Sequence, residues 1–313
     1  MSDKKVAVLS VNISEKKGTI KKPVDSIELN SKGVANDAHS GNWHRQVSLL
    51  AKESVDKFSI KAKRKIDFGE FAENITTEGI LLHHTAPLDR FLFGDLELEV
   101  TQIGKKCHGD NCSIFREIGN CVMPKEGIFC RVLKDGNLKA GDVLVYHPRI
   151  IKTMIITLSD RASRGEYEDK SGPLLEKLAE DFFKSKNRHY HIDKMIIPDQ
   201  EEDLSKLLKK AQKENYDAVF TTGGTGIGPR DITPDVVKKH LTKEIPGIME
   251  LIRVKYGMEK PNALVSRGIA GVMNKTLVYT MPGSPKAVNE YCSEIFKTVE
   301  HSLYMLNELD LHG

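Results

Sequence analysis

From about residue 153 onward, short apolar runs alternate with segments of helical spacing, and this alternation constrains the fold more than any other feature. "TMIITLSD" (153–160), "HIDKMIIPD" (191–199), "DAVFTTGG" (217–224) and "TLVYTMPG" (276–283) read as strands. "PLLEKLAEDFFKS" (173–185), "EEDLSKLLKKAQKEN" (201–215), "PDVVKKHL" (234–241) and "PKAVNEYCSEIFKTVEHSLYML" (285–306) read as helices. Parallel strands need crossover connections, and the crossover helices cover the sheet faces. Residues 149–313 are therefore expected to form an α/β domain with a mostly parallel sheet. Three strands run into loops that end at Pro173, Pro234 and Pro285, preceded by Gly, Thr and Ser. Proline suits the first helical position because its missing N–H costs nothing there, and a small polar residue before it serves as cap. Three helix starts should then gather at the carboxyl edge of one sheet, where open α/β folds bind ligands. Their unpaired N–H groups and positive dipole ends favour an anion.

One of these loops, "TTGGTGIGPRDITPD" (221–235), holds Gly223, Gly224, Gly226 and Gly228. It is not a Walker A loop, because Pro229 and Arg230 stand where Lys-Ser/Thr is required, and it is not G-x-G-x-x-G. It reads as a phosphate cradle or as a tight structural turn. The acids nearby favour the cradle. Asp231 follows the glycines, Asp199 ends "IIPD" and Asp160 ends "LSD". A carboxylate repels phosphate unless a divalent cation intervenes, and Mg²⁺ is commonly held by one or two carboxylates together with substrate phosphates. Any one Asp is equally a turn residue or helix cap; Asp199 and Asp231 at one edge point to Mg²⁺. Arg230 is a candidate for neutralising charge, or a surface ion-pair partner.

Residues 1–148 read differently. "KVAVLSVN" (5–12), "QVSLLA" (46–51), "LELEVTQIG" (96–104), "GIFCRVLK" (127–134) and "GDVLVYH" (141–147) are strand-like runs separated by "FGD", "KDGN" and "KAGD" turns. Such a series predicts a barrel or sandwich, with "HPR" (147–149) as the boundary. Cys107, His108, Cys112, Cys121 and Cys130 cluster here; the Cys107–Cys112 interval of four residues borders on zinc spacing, but the two later intervals of eight do not repeat it. Cys130, within a strand, reads as a buried apolar residue. Cys107 is flanked by Lys105, Lys106 and His108, cations that favour a thiolate able to bind a soft metal or carry sulfur.

Charge and hydropathy exclude several classes. The net charge is +3, with 23 basic against 20 acidic residues before position 151 and 24 against 24 after it, which gives no nucleic-acid-binding excess. No apolar stretch approaches a membrane span, and "MSDKKVAVLSVN" lacks a signal-peptide core. Five cysteines, an odd number, fit a reducing compartment, so a cytoplasmic protein is expected.

"LSDRASRGEYEDKSG", "IIPD", "TTGGTG", "PRDITPD" and "MPGSP" occur in the order and spacing of the MogA/MoaB family of molybdopterin adenylyltransferases, over roughly 151–308. The resemblance implies a three-layer α/β domain, often trimeric, that transfers AMP from Mg-ATP to the terminal phosphate of molybdopterin and releases pyrophosphate. It places the essential acids on Asp199 and Asp231, as catalytic residues and Mg²⁺ ligands through substrate phosphates. It places pterin and nucleotide contacts on Ser159, Asp160, Thr222, Gly223, Gly224, Thr225, Gly226, Ser266, Pro282, Gly283 and Ser284. Residues 5–147 resemble a MOSC domain through "GVANDAHSGNWHRQVSLLA" (33–51), "GEFAENITTEGI" (69–80), "GDLELEVTQIGKKCH" (94–108) and "MPKEGIFCRVL" (123–133). That resemblance implies a barrel-like fold that binds molybdenum cofactor or a sulfur species, with Cys107 as a candidate molybdenum ligand. Asn36 departs from the usual Gly before Asp37; His44, Arg45, Glu73, Asn74 and Thr76 are further pocket candidates. The combined expectation is an enzyme of molybdenum cofactor biosynthesis, a homo-oligomer that neither binds nucleic acid nor enters a membrane and that is open to other cofactor-biosynthesis proteins as partners. A non-catalytic cofactor carrier or storage protein and a Cys107-dependent sulfur transferase are the alternatives.

Overall fold

A computed structural model describes residues 4–106 and 121–309. They fall into two compact units, one reaching to Arg149 and including Leu309, the other Ile150–Glu308.

The first unit contains β1 (Lys4–Ile13), β2 (Lys22–Val24), β3 (Ser26–Asn30), β4 (Gly33–Val34), β5 (Val47–Ala51), β6 (Ile75–Glu78), β7 (Arg90–Phe93), β8 (Leu96–Ile103), β9 (Ile128–Lys134), β10 (Gly136–Lys139) and β11 (Val143–His147). Hydrogen bonding runs β11-β7-β8-β9-β5-β6-β1, and β11 also pairs with β1, so these strands close into a barrel. Closure removes the exposed edges that an open sheet must protect. Two of the anticipated tight turns hold glycines with positive φ, Gly94 (55°) and Gly141 (94°). Inward residues alternate along the strands, and Val6, Val8, Leu49, Phe91, Leu98, Val100 and Cys130 meet in the core. Helix α1 (Lys52–Ala62) lays Val55 and Phe58 against Phe71 and Phe129, next to the short helix α2 (Met123–Glu126).

The second unit is built on one sheet of β12 (Ile150–Leu158), β13 (His189–Ile197), β14 (Ala218–Thr222), β15 (Lys243–Glu244), β16 (Ala270–Met273) and β17 (Thr276–Met281), in the order β13-β12-β14-β17-β16-β15. The first four in that order are mutually parallel, and β16 and β15 continue antiparallel. Leu158 pairs with Ile197, Thr157 with Thr222, and Thr222 with Met281, so four carboxyl ends lie along one edge. The helices are α3 (Asp160–Ser163), α4 (Ser171–Ser185), α5 (Glu201–Lys213), α6 (Thr233–His240), α7 (Pro246–Glu259) and α8 (Pro285–Leu306). Strand residues alternate between two cores. Ile151, Ile155, Phe220, Leu277 and Tyr279 pack with α4, α7 and α8; Met154, Ile156, Val219 and Val278 pack with α5 and α6. Each fully buried large side chain contributes about 1.5–3 kcal/mol, so both cores hold the sheet edge in place.

Of the three proline-led helices, only α8 starts as its sequence suggests, with Ser284 Oγ accepting the Ala287 N–H at 3.2 Å and Pro285 first in the helix. Helix α4 begins two residues before Pro173, because the Asp169 carboxylate accepts the N–H groups of Ser171 (2.9 Å) and Gly172 (3.0 Å). Asp169, not Gly172, is the cap. Helix α6 begins at Thr233, whose hydroxyl donates to Gly223 O instead of capping. Among the described residues, no helix is long and apolar enough to cross a membrane.

Candidate functional site

The glycine loop joins β14 to α6. Gly223 has φ +101°, and a Cβ there would lie 2.2 Å from Leu158 O, so only glycine lets the loop pass over the end of β12. Gly224 has φ +63° and would bring a Cβ within 2.5 Å of Thr233 Oγ1. Thr222 and Gly223 are committed to shaping the loop: Thr222 Oγ1 donates to Pro282 O at 3.1 Å and Gly223 N to Met281 O at 3.0 Å. The later glycines make room for an acid. A Cβ on Gly226 or Gly228 would approach Asp231 Oδ2 to 2.7 or 3.0 Å, and the Gly228 N–H donates to that oxygen at 2.8 Å. Among the described residues, the N–H groups of Gly224, Thr225, Gly226 and Ile227 donate no hydrogen bond. Consecutive open N–H groups of this kind form an anion-binding concavity.

Asp199 follows β13 and is locked to Asp160 at the end of β12. The Asp160 N–H donates to Asp199 Oδ2 at 3.0 Å, and the Asp199 N–H to Asp160 Oδ1 at 3.1 Å. Arg230 donates to both Asp160 oxygens, through Nη2 at 2.7 and 2.6 Å, and holds that carboxyl below the usual range. Arg230 is thus an ion-pair partner. Burial pushes the Asp199 carboxyl up, and the negative charges of Asp160 and Asp231 push it further, against the Asp160 N–H and Arg230. Asp199 Oδ1 would stand 3.3 Å from a Cβ on Gly224, so both acids, Asp199 and Asp231, border the same loop. Ser159 Oγ accepts the Ala162 N–H at 3.2 Å and caps α3.

In front of the loop is a cavity of about 790 Å³. Of the residues singled out from the sequence, Gly224, Thr225, Gly226, Asp231, Ser266, Pro282, Gly283 and Ser284 line it. Ser159, Asp160, Thr222, Gly223 and Asp199 are not part of that lining. The sequence reading missed the far wall, which α7 and α8 provide through Arg253, Tyr256, Lys286 and Tyr291. Tyr291 donates its hydroxyl to Ser266 Oγ at 2.9 Å and Arg253 donates to Gly268 O at 2.9 Å, fixing the strip that carries Ser266. The signal for Lys286 was available: a cation directly after "PGSP" sits in the first turn of α8.

In the first unit, Cys107, with His108 and Cys112, lies outside the described residues. Asn36 adopts φ 62°, a left-handed conformation that Asn tolerates better than most residues, so the expected Gly is not needed before Asp37. Asp37 is buried and accepts from Ser14 N (3.0 Å), His39 N (2.9 Å) and the Lys21 ammonium. Burial opposes ionisation of Asp37, yet the bonds from His39 and Lys21 hold its carboxyl well below its usual range. Burial lowers Lys21 at the same time. With three donors in place, Asp37 is the partner that keeps the pair ionised. Burial pushes Glu73 up; one of its oxygens accepts from Gly69 N (2.6 Å) and Thr76 Oγ1 (2.9 Å), and the other is buried without a partner. Asn74 and Thr76 are spent on internal bonds, to Asn12 O and Glu73. His44 meets Gln102 Oε1 at 3.0 Å, and Arg45 stacks on Trp43 with its Nε buried and unpartnered. Cys130 is fully buried, and that burial pushes its thiol up, out of reach of thiolate chemistry.

Residues 154–301 match the family model described as a probable molybdopterin binding domain, and residues 36–145 match the MOSC domain model. A molybdopterin adenylyltransferase of Helicobacter pylori is 36% identical over 154 residues, 49% of this chain and 85% of that protein. Molybdenum cofactor biosynthesis protein B of Staphylococcus aureus is 35% identical over 164 residues, 51% of this chain and 94% of that protein. Among solved structures, MoaB of Thermus thermophilus is 31% identical, covering 51% of this chain and 98% of its own, with a TM-score of 0.45.

Proposed function

The chain belongs to the MogA/MoaB-type family of molybdenum cofactor biosynthesis proteins and carries a MOSC domain, and from that membership we propose that its second unit adenylylates molybdopterin with Mg-ATP. One observation carries the reading: two acids, Asp199 and Asp231, border a loop of open N–H groups beside a cavity large enough for a substrate. In the reaction, an oxygen of the pterin's terminal phosphate attacks the α-phosphorus of ATP. A new P–O bond forms, the α–β bridge breaks, and pyrophosphate leaves. Such transfer needs alignment and charge neutralisation more than covalent help. The loop N–H groups bind phosphate oxygens, and Ser266 and the 282–284 turn hold the pterin and nucleotide.

The residues present fit Mg²⁺. Asp199 is held at raised pKa by burial and negative neighbours, a state that a cation relieves. Among the described residues no cluster of three or more His, Cys, Asp or Glu could cage a metal unaided, so substrate phosphates would have to complete the shell. Mg²⁺ would be held by Asp199 and Asp231 and would neutralise charge on the transferring phosphoryl group.

In the same proposal, residues 1–148 and 149–313 are the functional domains, and two helical cores against one sheet support a three-layer arrangement for the second. The protein acts in the cytoplasm as a homo-oligomer, a trimer; the exposed Leu251, Val254 and Met258 on α7 support self-association. The barrel binds molybdenum cofactor or a sulfur species. The test is purified protein with molybdopterin, ATP and Mg²⁺, read as adenylylated pterin and pyrophosphate. Asp231→Ala should abolish transfer and keep pterin binding. Undiminished turnover in that variant, or no pyrophosphate from the wild type, refutes the assignment.

A further inference from the structure

Arg267 has no role in the sequence reading, yet several bonds tie it to the glycine loop. Its backbone N–H donates to Thr225 O at 2.8 Å. Its Nε donates to Gly226 O at 2.7 Å and its Nη2 to Asp231 O at 2.5 Å. Its Nη1 donates to both Asp235 oxygens at 2.9 Å, on the first turn of α6. In a trans peptide the carbonyl and the following N–H point in opposite directions. Holding Thr225 O and Gly226 O toward Arg267 therefore turns the N–H groups of Gly226 and Ile227 away from it. Those two N–H groups belong to residues that line the cavity and donate to nothing among the described residues.

We propose that Arg267 is a positioning residue for adenylyl transfer: its guanidinium orients the phosphate-binding Ile227 N–H through Gly226 O and fixes the backbone that carries Asp231, without touching substrate. This rests on the function proposed above. The role requires a guanidinium. Its planar fork serves two carbonyls and a carboxylate at once, which a lysine ammonium on a single flexible stem cannot do. Arg253, Tyr291 and Ser266 brace the strip from the other side, so Arg267 has a fixed base from which to act.

The experiment uses the full chain with Arg267→Met, Arg267→Lys, Arg267→Ala and Asp235→Asn. It measures kcat and KM for transfer and pyrophosphate affinity by calorimetry. A misplaced reacting group costs up to about 10²-fold in rate, so Arg267→Met should lose about that in kcat. It should also bind pyrophosphate about tenfold more weakly, as expected for roughly one charge-supported hydrogen bond. Arg267→Lys should regain only a small part of the loss, and millimolar guanidinium should partly rescue Arg267→Ala. Asp235→Asn, which removes the charge and one of the two acceptors of the helix contact and spares the loop carbonyls, should stay within a few-fold of wild type. Wild-type kcat and pyrophosphate affinity in Arg267→Met overturn the proposal. So does Asp235→Asn reproducing the whole defect, or a failure of guanidinium to restore folded Arg267→Ala. If Arg267→Met and Arg267→Ala do not fold, Arg267→Lys decides by the same two readouts. A wild type that transfers no AMP removes the adenylyltransferase reading instead, while the pyrophosphate comparison still judges Arg267.

Discussion

Gly226→Ala separates the position of the Asp231 carboxylate from its presence. Gly226 is not among the glycines with positive φ, so alanine fits its backbone. The new Cβ would stand 2.7 Å from Asp231 Oδ2, 3.2 Å from its Cγ and 3.5 Å from Oδ1. Ordinary contact begins near 3.4 Å, so Oδ2 must retreat by 3.4 − 2.7, about 0.7 Å. The obstacle is the end of one flexible side chain, so that side chain yields and the backbone stays. The retreat breaks the Gly228 N–H bond to Oδ2, a loss of about 0.5–1.5 kcal/mol. Replacing glycine by alanine at a compatible φ returns about 0.4–1 kcal/mol through the unfolded chain. Net stability should then change by less than about 1 kcal/mol. Activity should not be spared. A displacement approaching 1 Å costs up to about 10²-fold, so turnover should fall by about 10–10², or about 1.4–2.7 kcal/mol of barrier. Denaturant titration and single-turnover adenylylation, with pterin binding by fluorescence, give the three quantities. Wild-type turnover in a folded Gly226→Ala would show that the Asp231 carboxylate need not sit where it does. A stability loss of several kcal/mol would show that the backbone, not the side chain, yields.

Asp199→Asn should abolish transfer yet raise the melting temperature at neutral pH. Asp199 has a folded pKa above its unfolded value, so its favourable contribution exists only while it is protonated and is lost as pH rises through the folded pKa; calorimetric scans at pH 7 and near pH 4 should show the gain shrinking in acid. The wild-type rate should accordingly fall, as pH is lowered, at a higher pH than an ordinary carboxylate would give, a shift read from the acid limb of kcat/KM. In the barrel, Asp37→Asn should cost about 3–5 kcal/mol at pH 7, because it leaves the Lys21 charge buried without its partner. Asp37 has a depressed folded pKa, so the stability it contributes is present above its unfolded pKa and disappears as pH falls through the folded value; denaturant titrations in acid should show wild type and variant converging.

The sheet was readable because the apolar runs of β12, β14 and β17 are long, continuous and separated by helical spacing. The loop was readable because glycine and proline carry backbone consequences at fixed positions. What escaped were contacts set by tertiary placement. Asp169 caps α4 from the loop before it, in place of the expected Gly172, because a carboxylate two residues upstream reaches both open N–H groups. Arg253 and Tyr256 line the cavity only through where their helix is placed in the fold, which the sequence alone does not show. Arg267 is a lone cation in the mostly apolar stretch "ALVSRGIA" (263–270), so its hold on the loop carbonyls is invisible until the chain folds. In the barrel, Glu73, Asn74 and Thr76 read as pocket residues, whereas Asn74 bonds to Ser48 on β5 and Asn12 on β1, and Thr76 donates to Glu73.

The acids and the anion cradle looked contradictory in the sequence, and the structure gives the contradiction a direction. Of the three carboxylates at the sheet edge, Asp160 is neutralised by Arg230, and Asp231 is partly satisfied by one N–H from its own loop. Asp199 accepts one N–H, from Asp160, and burial together with the charges of Asp160 and Asp231 still pushes it toward protonation. The acid whose charge is disfavoured by burial lies against Gly224, where the open N–H groups begin. A phosphate alone would meet the N–H groups but also the charge of Asp199; a cation alone would meet too few ligands. Under the proposed function the two together satisfy both sets of atoms, so the site should select a metal-bound phosphate ester over either component. That selectivity would arise from burying one acid whose charge is disfavoured, at a cost in stability that Asp199→Asn should recover.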